Sequence, residues 1–167
     1  MSVHDHTLAD PRTHPGGATV GDLRAMEGPQ ALAVMVLRDW FDGEEGRLRV
    51  ARTFAEALSP ERAAAAIEGW IDFGALLSDG TRRPVMRHAV TCRCVGADEA
   101  VVAEVLALAA RGEREDAMLV LSLLVSGERL LLACDVAQRA GMAVMEVAAR
   151  WRREDRGEVR PAARHLH

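Results

Sequence analysis

Hydrophobic positions along the chain repeat with the period of an α-helix over most of its length. From Pro29 to residue 153, apolar residues recur every three or four positions, so that each run forms one apolar face. Residues that start or stop helices, among them Ser59-Pro60 and Gly112, interrupt the pattern. The predicted helices cover residues 29–41, 44–58, 60–78, 98–111, 114–125, 128–140 and 142–153. The pattern therefore predicts an all-α fold, a compact single-domain bundle of about six or seven helices.

The predicted helices also supply a predicted core. The run AMLVLSLLV, residues 117–125, is apolar on nearly all sides, which favours a central buried helix. It is too short to cross a bilayer, which needs about 20 apolar residues, so no membrane span is expected. On one side of the core we expect Trp40, Phe54, Trp70, Ile71 and Phe73. On the other side we expect Leu106, Leu119, Leu123, Leu131 and Val136.

One short extended segment, near residues 85–95, interrupts the helical pattern. Alternate residues of an extended chain share a face. The even positions hold Met86, His88, Val90, Cys92 and Cys94. The odd positions include Arg87 and Arg93. The segment is therefore predicted to have one largely apolar side and one polar side.

The two ends of the chain lack the helical period. Residues 1–28 are rich in Pro, Gly and polar side chains and are predicted to form a flexible N-terminal arm. Residues 29–153 form the predicted helical domain, and residues 154–167 form an Arg-rich C-terminal tail. The start of the chain has no signal-peptide pattern, and an odd number of cysteines, three, points to reduced thiols. We therefore expect a cytoplasmic location.

Composition narrows the range of functions. All 21 basic side chains are Arg, and the chain has no Lys and no Tyr, a bias that indicates a GC-rich bacterial genome. The absence of Lys excludes a phosphate-binding loop that uses a Lys and a catalytic Lys nucleophile. No GxSxG, HExxH, CxxC or GxGxxG motif occurs, which favours a protein that is not an enzyme. The net charge of −4 indicates no overall affinity for nucleic acid or acidic membranes.

The stretch RHAVTCRCVGADE, residues 87–99, is the strongest candidate for chemistry. His88, Cys92 and Cys94 share a face if the segment is extended, and Cys134 would complete a Cys3His zinc site. The order His-x3-Cys-x-Cys resembles, over seven residues, the His-x3-Cys-x2-Cys signature of zinc-binding anti-sigma factors. This stretch has one residue fewer between its cysteines than that signature has. The resemblance implies that the chain binds zinc.

Two other interpretations of this stretch stay open. In the first, the face formed by the even-numbered residues of the extended segment packs into the core, since Cys is a small hydrophobe that is often buried. Alternatively, the two cysteines form a redox or regulatory thiol pair. We favour the buried apolar face and treat zinc as the one cofactor to be tested.

Residues 136–151, VAQRAGMAVMEVAARW, resemble the helix-turn-helix of bacterial repressors. Ala137, Gly141 and Val147 occupy the characteristic positions of that motif, with Gly supplying the turn. The outward positions of the second helix offer a single hydrogen-bonding side chain, Glu146, which would repel phosphates. For residues 128–153 we therefore favour a helical hairpin of the core over a degenerate helix-turn-helix.

The end of the chain is basic. Residues 150–167 hold six Arg and three acidic residues, on an otherwise acidic chain. Such a segment suits contact with nucleic acid or with a partner protein. The candidate contact residues are Arg150, Arg152, Arg153 and Arg156.

These features together predict a non-enzymatic bacterial regulatory or adaptor protein that acts by binding another protein. The first alternative is a transcriptional regulator that uses a degenerate helix-turn-helix at 128–153, with nucleic acid as its partner. The second alternative is a zinc or thiol sensor centred on His88, Cys92 and Cys94. The sequence does not predict an oligomeric state.

Overall fold

A computed structural model describes residues 15–157, and most of these residues lie in α-helices. The helices of this part of the chain are α1 (Gly28–Trp40), α2 (Gly43–Ala57), α3 (Pro60–Asp79), α4 (Ala97–Ala110), α5 (Arg114–Leu121) and α6 (Leu130–Asp155). They pack around one apolar core. The all-α bundle expected from the hydrophobic period is confirmed.

Local sequence signals explain where several helices begin and end. The Ser59 side chain accepts a hydrogen bond from the backbone N–H of Arg62, and Pro60 occupies the first position of α3. Gly43 at the α1–α2 junction and Gly112 at the α4–α5 junction have φ values of 76° and 78°. This left-handed conformation favours Gly, so these breaks lie where the sequence predicts them.

Helices α4 and α6 lie at the centre of the bundle, with α1 and α3 packed against them. The ring of Trp70 lies 6.0 Å from that of Trp40 and 5.6 Å from that of Phe73, measured between centroids. Such aromatic clusters stabilise a core beyond the area that they bury. The predicted core residues that are buried are Trp40, Phe54, Trp70, Phe73, Leu106 and Val136.

Four predicted core residues are instead exposed. They are Ile71, Leu119, Leu123 and Leu131, with exposed fractions of 54%, 71%, 59% and 61%. Ile71 directly follows the buried Trp70, and one helical step turns a side chain by about 100°. The three leucines lie on α5, just after it and at the start of α6, on sides that face away from the core.

Helix α5 is shorter and more peripheral than the run 117–125 predicts. It ends at Leu121, and the chain then turns so that Leu124 and Val125 are buried. Val125 pairs with Thr81 in an isolated β-bridge, and Arg82 donates its backbone N–H to the Leu124 carbonyl. The apolar character of this run therefore reflects a buried turn as well as a helix.

Helix α6 is continuous over 26 residues, which corrects the prediction of two helices separated at Gly141. Gly141 lies inside the helix, where a Cβ atom would overlap the carbonyl oxygen of Leu106 in α4. This glycine thus allows α6 and α4 to approach closely instead of forming a turn. Both the helical hairpin and the degenerate helix-turn-helix predicted for residues 128–153 are wrong.

A small antiparallel sheet joins the N-terminal part of the described chain to the segment before α4. Strand β1 (Thr19–Asp22) pairs with β2 (Cys94–Gly96), with Asp22 opposite Cys94 and Thr19 opposite Gly96. Short 3-10 turns flank β1 at Pro15–Gly17 and Leu23–Ala25. Within the predicted arm, β1 therefore forms backbone hydrogen bonds with β2. The rest of the predicted arm, residues 1–14, lies outside the described residues.

The segment 85–95 is extended only in part. A turn closes at residues 89–92, where the Cys92 N–H donates to the Ala89 carbonyl at 2.9 Å. The turn breaks the alternation, so that Val85 and Met86 are buried whereas Val90 is 39% exposed. The predicted apolar strand face is therefore wrong.

No helix within residues 15–157 is both long and apolar enough to cross a membrane.

Candidate thiol and metal site

The loop that joins α3 to α4 carries the candidate site. Its turn at residues 89–92 brings Cys92 and Cys94 side by side, and a disulfide joins them across a Cα–Cα distance of 5.6 Å. The structure thus departs from the expectation of three reduced thiols at this pair, whose two sulfur atoms lie at disulfide distance. Cys134 is the free thiol among the described residues.

Arg38 of α1 holds this loop from the inside of the molecule. Its guanidinium donates to the carbonyl oxygens of Cys92 at 2.6 Å and Cys94 at 2.7 Å, and more weakly to that of Ala89 at 3.4 Å. It also makes a two-pronged ion pair with Glu99, with N–O distances of 2.7 and 2.8 Å. A planar guanidinium suits this arrangement because its donors point in fixed directions. Both cysteine carbonyls are therefore fixed by one buried side chain.

Glu99 of α4 also holds the loop that carries the two cysteines. One of its oxygens accepts the backbone N–H of His88 at 3.0 Å, and the other accepts that of Gly96 at 2.8 Å. The side chain is fully buried. Burial acts to raise the pKa of Glu99, but the hydrogen bonds from Arg38 and from the two backbone N–H groups outweigh it and hold the pKa below its usual value. Glu99 is therefore the ionised partner of Arg38.

His88 lies beside the disulfide. Its Nδ1 lies 3.6 Å from the Cys94 Sγ, and its Nε2 lies 3.1 Å from the carbonyl oxygen of Gly17. Because a carbonyl only accepts hydrogen bonds, Nε2 carries the proton in the neutral ring, and Nδ1 keeps a free lone pair towards the sulfur. The ring thus links Gly17 of the N-terminal segment to the sulfur of Cys94.

A second buried carboxylate fixes the beginning of the loop. Asp98 accepts two hydrogen bonds from the Arg83 guanidinium, at 2.5 and 2.7 Å, and one from the backbone N–H of Met86 at 2.9 Å. Gly16 packs so closely against this carboxylate that a Cβ atom there would overlap it. The two acidic residues near the start of α4 therefore hold the chain on both sides of His88. Asp98 binds the backbone of Met86, and Glu99 binds that of Gly96.

The predicted fourth zinc ligand, Cys134, does not belong to this cluster. It lies buried in α6 with its Sγ directed at the Arg114 carbonyl of α5, at 3.9 Å. Burial raises the pKa of the Cys134 thiol, which the nearby Arg114 lowers only in part. The Cys3His site is therefore wrong, since α6 places this cysteine on the side of α5.

The other three predicted ligands do come together. The ligating atoms of His88, Cys92 and Cys94 all lie within 4.8 Å of one another, and each residue is half-buried. The cluster is thus within reach of solvent on one side and held by a buried ion pair on the other. Its two cysteines can exchange between disulfide and dithiol, and its imidazole can accept a thiol proton.

The predicted basic contact residues lie at the far end of α6. Arg150 is half-buried, pairs with Glu154 at 2.8 Å and donates to the Ala57 carbonyl at 3.4 Å. Arg152 and Arg153 are exposed in the last turn, where positive charge complements the helix dipole. Arg156 caps the helix with its backbone N–H. Residues 158–167 of the predicted tail lie outside the described residues.

Sequence reasoning missed Arg38 and Glu99, which organise the site. A signal for Arg38 exists, because it follows Val34 at helical spacing and so falls on a buried face of α1. A charge on such a face requires a partner. Nothing in the pattern indicates that the partner is Glu99 or that both hold the cysteine carbonyls.

Comparison of the chain with protein-family models, curated proteins and solved structures found no match.

Proposed function

We propose that the protein is a thiol-based regulatory protein in which Cys92 and Cys94 cycle between dithiol and disulfide. The observation that carries this proposal is the disulfide across a single intervening residue, in a half-buried loop whose carbonyls are fixed by the buried Arg38. A disulfide that closes so short a loop restricts the unfolded chain little and serves stability poorly. Its accessibility favours exchange with other thiols. The predicted cytoplasmic location stays a prediction.

The chemistry needs a disulfide-containing oxidant, such as a low-molecular-weight disulfide. The Cys94 thiol transfers its proton by way of His88 Nδ1, and the thiolate attacks one sulfur of the oxidant, which releases one thiolate and leaves a mixed disulfide. The Cys92 thiolate then attacks the Cys94 sulfur and expels the second thiolate. The two departing thiolates take up the two thiol protons, and the oxidant gains the two electrons that the cysteines lose.

The cysteine loop is attached to the N-terminal segment. Cys94 lies opposite Asp22 in the sheet, and the Leu23 N–H donates to the Arg93 carbonyl at 2.9 Å. Arg93 lies between the two cysteines and also pairs with Asp22 at 3.2 Å. Arg93 therefore joins the two cysteines directly to the segment that carries β1.

The test is a redox titration of the purified chain in glutathione buffers of varied ratio, followed by alkylation of free thiols and mass spectrometry. We expect a reversible, two-electron transition of Cys92 and Cys94. The Cys134→Ser variant is the matched control and should show the same midpoint, whereas Cys94→Ser should form only a mixed disulfide. The proposal fails if the pair stays reduced in excess oxidised glutathione, or stays oxidised in excess dithiothreitol.

A second candidate function, the adaptor predicted from the sequence, is favoured by a different observation. Four leucines on or beside the adjoining helices α5 and α6 are exposed: Leu119, Leu123, Leu131 and Leu132, between 59% and 71%. We call them the leucine surface. Single exposed leucines are ordinary, but four of them on or beside two helices that contact each other favour a contact with another protein.

This second candidate predicts that capture of a protein partner from lysate of the source organism depends on the leucine surface. Leu131→Glu should abolish capture. Leu48→Glu is the matched control, because Leu48 of α2 is 53% exposed but lies outside this surface. Equal capture by the wild type, Leu131→Glu and Leu48→Glu would argue against an adaptor role for these leucines.

A further inference from the structure

We propose that the reduced site binds zinc through His88 Nδ1 and the thiolates of Cys92 and Cys94, with one coordination position left open. This inference rests on the proposed function, since the metal requires both thiolates that the disulfide consumes. Zinc binding would therefore occur in the reduced state alone.

The spacing of the three ligands fits a tetrahedral zinc ion. Zn–N and Zn–S bonds of about 2.0 and 2.3 Å imply a nitrogen–sulfur separation of about 3.5 Å and a sulfur–sulfur separation of about 3.8 Å. His88 Nδ1 lies 3.6 Å from the Cys94 Sγ, and all three ligating atoms lie within 4.8 Å of one another. Once the S–S bond is broken, rotation of the Cys92 side chain is enough to bring its sulfur to a position that binds the same zinc ion.

The histidine is already oriented as a metal ligand. Zinc-binding histidines donate the proton of their other ring nitrogen to a carboxylate or a carbonyl, which fixes the ring and its tautomer. Here Nε2 lies 3.1 Å from the Gly17 carbonyl, while the His88 backbone N–H is held by Glu99. Nδ1 is thus presented to the sulfurs with its lone pair free.

The loop backbone is equally constrained. Arg38 fixes the carbonyls of both cysteines, so the thiolates do not need to be ordered when the metal binds. A site that is ordered in advance binds with a smaller loss of conformational entropy.

The fourth position is open to solvent or to a ligand atom from outside. Cys134, the residue that would close the site, lies in α6 against α5 and is not part of the cluster. The three ligands are half-buried, so an ion and a water molecule can reach them. Three protein ligands and an open position differ from a closed four-ligand structural site and leave room for a water molecule or an external ligand.

Disulfide formation and zinc binding exclude each other chemically. When a low-molecular-weight disulfide oxidises the two zinc-bound thiolates, the cysteines lose two electrons, the oxidant leaves as two thiolates, and zinc departs as Zn²⁺ without a change in oxidation state. The site would thus convert an oxidising signal into release of a metal ion.

The test is a titration of the full chain with Co²⁺ as the spectroscopic probe, followed by displacement with Zn²⁺, in the reduced and the oxidised state. We expect about one metal per reduced chain, with a sulfur-to-cobalt charge-transfer band, and none per oxidised chain. His88→Gln should weaken binding by at least about tenfold. Cys134→Ser is the matched control and should bind as the wild type does.

The comparison of the two redox states needs no variant, so the result does not depend on the folding of His88→Gln. A reduced wild-type chain that binds no metal would overturn the zinc site while leaving a reversible dithiol intact. Loss of binding in Cys134→Ser would overturn the ligand assignment. Failure of the redox titration, with metal still bound by the chemically reduced chain, would instead reject the proposed switch and keep the site.

Discussion

Arg38 shows how one buried side chain controls the geometry of a reactive loop. It is 2% exposed, and its donors are shared between a buried carboxylate and the carbonyls of both cysteines. A buried ion pair contributes little net stability compared with apolar residues, but the loss of one partner leaves an uncompensated charge. At the residue scale, the Arg38–Glu99 pair therefore serves to define the loop conformation.

Replacement of Arg38 should destabilise the protein strongly. Arg38→Met leaves Glu99 buried without its counter-charge, and we expect a loss of about 3–5 kcal/mol in the free energy of unfolding, measured with urea. Arg139→Met is the matched control, because Arg139 pairs with Asp72 at 2.8 Å with both side chains at least 50% exposed. It should cost no more than about 1 kcal/mol. Similar losses for both variants would contradict the role given to the buried pair.

Glu99 should make stability depend on pH in the acid range. Its pKa lies below the usual 4.5 in the folded chain, so its ionised form contributes stability above that pH. This contribution is lost as the pH falls through the folded pKa. The difference in unfolding free energy between wild type and Glu99→Gln should therefore shrink at acid pH.

A carbon-13 NMR titration of the Glu99 carboxyl in the wild-type protein tests the same point without a variant. We expect its midpoint below the usual value of 4.5. A midpoint at or above that value would show that the cost of burial outweighs the hydrogen bonds from Arg38, Gly96 and His88.

At the scale of elements, the contact between α4 and α6 depends on a glycine. A Cβ atom at Gly141 would overlap the carbonyl oxygen of Leu106. The same Cβ would lie 3.0 Å from the Leu106 carbonyl carbon and 3.2 Å from its Cα. These atoms belong to the backbone of a central helix and cannot move aside as a flexible side chain does. In the sequence the same glycine is typical of a turn, which explains the prediction of a helical hairpin, with a degenerate helix-turn-helix as the alternative.

Gly141→Ala distinguishes these two roles. In an exposed helix this substitution stabilises by up to about 1 kcal/mol. Here we expect it to destabilise by about 1–3 kcal/mol, because α6 is pushed away from α4. Gly28→Ala is the control, since nothing lies within 4 Å of a Cβ at Gly28. Thermal unfolding followed by circular dichroism measures both, and an unchanged or raised Tm for Gly141→Ala would contradict the close contact.

At the scale of the whole molecule, one core connects all six helices of residues 15–157. Residues from each helix belong to the same buried cluster, in which α4 and α6 contact most of the other elements. The described part of the chain offers no second core that could unfold separately. The sheet of β1 and β2 attaches the N-terminal segment to this body.

Unfolding of the protein should therefore be a single cooperative transition. Trp40 and Trp70 lie in the core and report on tertiary packing by fluorescence, whereas circular dichroism reports on the helices. The two signals should give coincident urea curves. Trp151, which is 41% exposed, is replaced by Phe so that its signal does not obscure the core. Separate midpoints for fluorescence and circular dichroism would contradict one cooperative unit.

The sequence by itself determined the helical class, most helix boundaries and three residues of the candidate site, His88, Cys92 and Cys94. These features follow from local physics: the period of apolar residues, the Ser59-Pro60 start and the glycines at 43 and 112 act over a few positions. The grouping of His88, Cys92 and Cys94 was also predicted, although from an alternating strand that the turn at 89–92 replaces.

Only the tertiary structure decided what surrounds those residues. The Arg38–Glu99 pair joins positions 61 residues apart, the Gly17 carbonyl meets His88 across 71 residues, and Cys134 lies against α5 instead of beside the other cysteines. Whether Gly141 ends a helix or lets two helices touch likewise depends on Leu106 of another element. Periodicity assigns a residue to a face, but the partner of that face is selected by the packing of the whole core, which no local pattern encodes.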